Sequence, residues 1–124
     1  MADVFISYAR ADRKRVRLVA LGLAAEGFSV WWDPEIQPGK KFDDVIRREL
    51  ETSAAVVTCW TRAAAKSKWV LAETSFADGQ KKLAPAVLQN CDPPIPYNML
   101  QSADLTRWRG DADDPEWLAL LARV

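Results

Sequence analysis

"DVFISYARADRKRVRLVALGLAAEGFSVWW", residues 3–32, is the stretch on which the fold reading turns. Its two ends, "DVFISY" (3–8) and "FSVWW" (28–32), have the length and the β-branched or aromatic content of strands. Residues 13–26 between them read as a helix, closed by Gly27 at the position where a chain leaving a helix turns left-handed. Gly22 inside that helix costs about 1 kcal/mol against alanine, which marks a place of close packing. Strand, helix, strand is the repeat of a parallel sheet whose helices cover its faces.

The pattern continues outward. "AAVVTCW" (54–60) and "LAPAVL" (83–88) are further apolar runs, and "MLQSADL" (99–105) is a weaker fifth. "FDDVIRREL" sets Phe42, Val45, Ile46 and Leu50 at helical spacing, a one-sided apolar stripe. Residues 67–79 predict another helix, and a last one starts near Asp114 with Pro115 in its first turn. Right-handed crossovers and five strands predict an α/β, flavodoxin-like fold: a five-stranded parallel sheet of order 2-1-3-4-5 with helices on both faces. In that order a crevice opens at the carboxyl ends of the first and third strands. Four loops reach that edge: residues 9–12, 33–41, 61–66 and 89–96. The second, "DPEIQPGKK", exceeds the roughly 2–6 residues usual for such a connection. Extra length at that edge commonly serves function.

Composition narrows the function. The 124 residues make one domain that buries roughly two thirds of its unfolded surface. Seventeen basic and 17 acidic residues cancel, which argues against a nucleic-acid platform. The basic cluster "RADRKRVR" (10–17) reads as a solvated helix face. No run has the length of a membrane span and no signal peptide opens the chain. With two cysteines, Cys59 and Cys91, read as free thiols, a cytoplasmic location is expected. The chain has no histidine, which removes histidine nucleophile triads, general bases and metal sites; no metal is expected. The chain stops at "DPEWLALLARV" within an amphipathic pattern, so residues 1–124 read as the N-terminal module of a longer protein.

Familiar phosphate and metal motifs are missing. The first strand is not followed by G-x-G-x-x-G, and "PGKK" lacks Walker spacing. A phosphoacceptor domain of the same fold order needs an aspartate ending the third strand, where this chain has Cys59, Trp60 and Thr61. There is no C-x-x-C pair.

The informative oddity is "SKWVLAE" (67–73). On a helical wheel Trp69, Val70, Ala72, Phe76 and Ala77 form a broad apolar arc, and Glu73 falls near its middle. A charge there is costly unless paired or used. Spacing leaves three readings open: an ion pair with Arg62 or Lys66, a stripe that runs off the core into water, or a working carboxylate.

Three segments together resemble the TIR (Toll/interleukin-receptor) domain of bacterial type, especially its NAD-cleaving effectors: "DVFISYARAD" (3–12), "FSVWWDPEIQPGKKF" (28–42) and "SKWVLAE" (67–73). The resemblance spans nearly the whole chain. It implies an NAD+ nucleosidase that cuts the nicotinamide–ribose bond, releasing nicotinamide and ADP-ribose or a cyclic form. Glu73 of the W-x-x-x-E segment is then catalytic. Tyr8, Arg10, Asp33, Lys40, Phe42 and Trp69 are implied to bind substrate, with Lys41 competing for the role of Lys40 because of the extra lysine in "GKKF". Ala9 stands where some relatives carry a second arginine. NAD+ is implied as substrate, with no separate cofactor. The partners implied are further TIR copies, meeting through the 33–41 loop, and a fused C-terminal sensor or oligomerising domain, in an effector of bacterial immunity triggered by self-association. The competing reading is a non-catalytic TIR scaffold that binds other TIR modules in signalling.

The chemistry suits the residues. An ordinary glycosidase needs an acid to protonate its leaving group. Oxidised nicotinamide is already cationic and departs neutral, so one carboxylate facing the oxocarbenium-like ribose suffices. A free glutamate titrates near about 4.3 and is ionised at neutral pH. Aromatic faces add about 0.5–2 kcal/mol for a pyridinium.

Overall fold

The computed structural model describes residues 2–32 and 42–124; for Phe42 and Asp43 it describes the backbone alone. Five strands, β1 (Val4–Ser7), β2 (Val30–Trp31), β3 (Ala55–Trp60), β4 (Leu83–Val87) and β5 (Ala103–Asp104), pair in parallel in the order β2-β1-β3-β4-β5. In register, Val4 lies between Val30 and Ala55, Ser7 sits beside Thr58, and Ala86 sits beside Ala103. Every residue of β1 and β3 is buried, as expected of central strands covered on both faces.

Among the described residues five α-helices clothe the sheet: α1 (Arg13–Ala25), α2 (Phe42–Thr52), α3 (Arg62–Ala65), α4 (Lys68–Gly79) and α5 (Pro115–Leu121). Side-chain alternation along the strands divides the core. Val4, Ile6, Val57, Cys59 and Ala86 face α1 and α5, meeting Val16, Leu23, Trp117 and Leu120. Phe5 and Val56 face the other way, toward Ile46 and Leu50 of α2 and Ala77 of α4. The predicted fold class and strand order are therefore those observed. Gly27 has φ +96°, the left-handed turn anticipated after α1. Gly22 is indeed at a close approach. A Cβ there would stand 2.8 Å from the Trp117 ring, which stacks on Trp108 at 4.2 Å between centroids.

The edge strands are shorter than the apolar runs suggest, for identifiable reasons. Before β2, Asp3 and Ser29 exchange backbone-to-side-chain bonds (Asp3 N–H to Ser29 Oγ, 2.8 Å; Ser29 N–H to Asp3 Oδ2, 2.9 Å). These join the two segments without extending the ladder. On β4, Leu88 N–H donates to Trp60, whereas Val87 C=O accepts from Leu105, so alternate residues serve β3 and β5. Pro85 falls on the β5 side and has no N–H to give, and β5 starts only at Ala103. The preceding run instead holds a 3₁₀ turn at Tyr97–Met99.

Residues 61–66, expected as loop, contain the single turn α3. Thr61 caps it, its hydroxyl accepting from Ala64 N–H at 3.0 Å. Asp114 caps α5, with its carboxylate accepting from the N–H groups of Glu116 and Trp117. Neither cysteine is in a disulfide; Cys59 is buried and Cys91 half-buried.

Candidate functional site

The carboxyl ends of β1 and β3 carry the site. Helix α4 begins there, capped by Ser67, whose hydroxyl accepts from Val70 N–H at 3.3 Å. From that start, Val70, Thr74 and Ala77 turn into the core. Glu73, one residue before Thr74, comes to the border between core and opening, half-buried. The apolar arc read from the wheel is therefore rotated in the folded chain. Its centre is Thr74, not Glu73, and Trp69 lies at the rim with 54% of its surface exposed.

Glu73 takes a hydrogen bond from the buried Ser7 hydroxyl, Ser7 Oγ to Oε1, at 2.8 Å. The ion pair with Arg62 or Lys66 considered from sequence does not form. Among the described residues the ion pair present is Arg47–Glu51 on α2. Burial pushes the Glu73 carboxyl up from 4.5 to about 7, and the Ser7 bond opposes part of that rise.

Around this carboxyl opens a pocket of about 610 Å³. Tyr8 and Arg10, two of the substrate residues implied by the resemblance, line it with Trp69 and Glu73. Trp31, Trp32 and Arg13 line it as well. Trp31 stacks on Phe5 at 5.1 Å and Trp32 tilts against Tyr8 at 6.0 Å, so each tryptophan leans on one face of β1. The sequence-based site omitted both tryptophans, because alternation sends them to opposite sheet faces where each reads as core. Both reach the pocket because β2 ends at Trp31. Ser7 was also missed. The available signal was a hydroxyl closing an apolar strand run, on the same strand face as Phe5. Asp33, Lys40, Lys41 and the side chain of Phe42, with the whole 33–41 loop, lie outside the described residues.

A second set of bonds steadies the turn that carries Arg10. Thr61 Oγ1 donates to Asp12 Oδ2 at 2.5 Å, and Arg62 N–H donates to Gln89 Oε1 at 3.0 Å. Three loops of the sheet's carboxyl edge are thereby tied together. Among the described residues no group of three or more metal-ligating side chains is assembled, and no helix is long and apolar enough to cross a membrane.

The architecture matches that of solved TIR structures. The TIR domain of the Toll-related receptor TRR-2 from Hydra magnipapillata superposes with a TM-score of 0.77 at 19% identity, covering 86% of each chain. A metazoan TIR-STING receptor from C. gigas gives a TM-score of 0.72 at 23% identity over 97% of this chain, which spans 40% of the receptor chain. The TIR domains of the activated Roq1 resistosome, which recognises the effector XopQ, give 0.59 at 18% identity, covering 99% of this chain and 70% of the other. At such identities the likeness speaks for the fold. No curated protein matches the chain significantly. The family model of the TIR domain matches residues 4–121, nearly the whole chain, and the protein therefore belongs to the TIR-domain family.

Proposed function

We propose that this TIR domain is an NAD+ nucleosidase whose catalytic residue is Glu73. The observation that supports it is a desolvated carboxylate at the mouth of an aromatic-walled pocket, held by a hydroxyl rather than by a cation. A structural ion pair would have spent that charge inside the fold. In the proposed reaction the bond between ribose C1′ and the pyridinium nitrogen breaks, and its electron pair stays on nitrogen. Nicotinamide leaves neutral, and positive charge develops on the ribose ring. The Glu73 carboxylate stabilises that charge and binds ribose hydroxyls. Water then attacks C1′ and gives up a proton, yielding ADP-ribose; attack by an adenine nitrogen yields the cyclic product.

Tyr8 and Trp69 offer stacking faces for the base, and the Arg10 guanidinium suits a phosphate oxygen through its planar fork. Asp33, Lys40 and Phe42 complete the substrate contacts in this reading, supplied from the 33–41 loop and the start of α2. Because Trp69 is half-exposed in a single copy, the site closes fully when another TIR copy meets the loop. Self-association, driven by a fused C-terminal sensor or oligomerising domain, is then the trigger, and depletion of NAD+ in a cytoplasmic bacterial defence is the output.

The test is nicotinamide release from NAD+ by the full-length protein under clustering conditions. Glu73→Gln is expected to reduce the rate by at least about 10²-fold, the scale of losing one preorganised electrostatic group. A Gln variant as fast as the parent overturns the catalytic assignment. A parent that releases no nicotinamide when clustered passes the case to the scaffold reading.

A further inference from the structure

Helix α4 meets the sheet through two adjacent polar contacts. Ser7 and Thr58 are register partners on β1 and β3. Glu73 and Thr74 are consecutive on α4. Ser7 Oγ donates to Glu73 Oε1 at 2.8 Å, and the hydroxyls of Thr58 and Thr74 share a bond at 2.8 Å. Ser7, Thr58 and Thr74 have 1%, 0% and 0% of their surface exposed. Four polar groups set side by side in an otherwise apolar interface define one rotation and one height of α4. A slip in either would strand buried hydroxyls without partners.

We propose that Ser7 is a positioning residue: its hydroxyl holds Oε1 of Glu73, and with the neighbouring Thr58–Thr74 bond it fixes the carboxylate so that Oε2 is the oxygen presented to the pocket. This rests on the nucleosidase reading for its kinetic consequence, though not for its effect on Glu73 itself. A hydroxyl has one proton. Given to Oε1, it stabilises the ionised form and removes one of the two ways the carboxylate could turn. An alanine at the site would leave the carboxylate equally shielded from water but without that donor. Among the described residues, the other titratable or charged groups lining the pocket are Tyr8 from the end of β1, Arg10 from the following turn and Arg13 from α1. β2, the residue after it and α2 contribute Trp31, Trp32 and Ile46 respectively.

The experiment follows the Glu73 side-chain carboxyl by carbon-detected NMR titration in the parent, Ser7→Ala, Ser7→Cys and Thr74→Val proteins. It is paired with the pH dependence of nicotinamide release from clustered protein. Ser7→Ala is expected to raise the Glu73 midpoint by about one pH unit and to shift the acid limb of kcat/KM by the same amount. Ser7→Cys, similar in shape with a weaker donor, should fall between. It serves as the readout if the alanine variant does not fold. Thr74→Val should lower Tm while leaving the midpoint in place. A midpoint unchanged in both Ser7 variants overturns the proposal, as does an equal shift in Thr74→Val, which would mark a general loosening of α4. A midpoint that moves as expected supports Ser7 even if no form releases nicotinamide; that second result would instead sink the nucleosidase reading.

Discussion

At pH 7 the Glu73 carboxyl stands near the middle of its titration, because burial lifts it from 4.5 to about 7. Two consequences of opposite sign follow. The native protein holds the proton more tightly than the unfolded chain, so the carboxyl stabilises the fold fully below about pH 4.5. That contribution is lost as pH rises through about 7. Glu73→Gln removes the ionisation, and the variant is expected to match the parent in urea unfolding at about pH 4. At pH 8 it should exceed the parent by on the order of 3 kcal/mol. Catalysis by the ionised form runs the other way. The kcat/KM profile, which reports the free enzyme, should lose activity below about pH 7. The kcat profile should fall at lower pH, because a bound pyridinium favours the charged carboxylate. A Gln variant no more stable than the parent at pH 8 would show that Glu73 is better solvated than its setting implies. Glu73 stood out in the sequence as a charge inside the apolar arc of "SKWVLAE", and its catalytic role was implied by the resemblance rather than by spacing. Its partner Ser7, 66 positions away, was not legible, since nothing local in either segment records the contact.

Among the elements, α1 and α2 depend on single side chains in ways that substitution can expose. A Cβ at Gly22 would press on the stacked Trp108–Trp117 pair, with contacts of 2.8–3.1 Å. Gly22→Ala should gain about 1 kcal/mol of helix propensity but lose about 1–3 kcal/mol to overpacking, for a net drop in Tm. Gly79, near the end of α4, has open space where a Cβ would go. Gly79→Ala is the matched control and should raise Tm. Lys82 closes the other end of this layer. Its Nζ donates to the carbonyls of Leu50 at 2.7 Å, Glu51 at 3.3 Å and Ser53 at 2.9 Å, and it lies 5.4 Å from the centre of the Phe76 ring. The ammonium thus satisfies the last carbonyls of α2 and opposes the negative end of its dipole. Lys82→Met keeps the stem and removes the donors. It should cost about 1–3 kcal/mol in chemical denaturation, and a neutral result would show that water replaces the ammonium. Helix positions were readable to within a few residues because period and caps are local. The shortness of β5 was not, since it depends on which side of β4 Pro85 turns.

For the whole molecule, the sheet separates two apolar layers, and Cys59 sits in the larger one against α1 and α5. Burial first, and the charge of Asp12 second, push its thiol up to about 12. Such a thiol reacts only when the layers part. At pH 8, Cys59 should resist a thiol reagent until urea reaches the transition seen by tryptophan fluorescence, while Cys91, half-buried in the loop after β4, reacts in the folded protein. Coincident curves for Cys59 labelling and fluorescence would show one cooperative unit. Labelling that runs ahead of fluorescence would show that the α1–α5 layer opens separately.

Periodicity and turn residues sufficed to determine the parallel sheet and its order, and the absence of histidine removed imidazole from the chemistry. These properties are written locally: each reflects which side of its own helix or strand a residue faces. Tertiary structure alone decided that Thr74, rather than Glu73, centres the buried face of α4. It also decided that Trp31 and Trp32 reach one pocket and that a serine, rather than a cation, meets the carboxylate. A side chain's solvation and hydrogen-bond partner depend on where neighbouring elements end and which residues they bring across. That information is spread over strands and helices far apart in the chain.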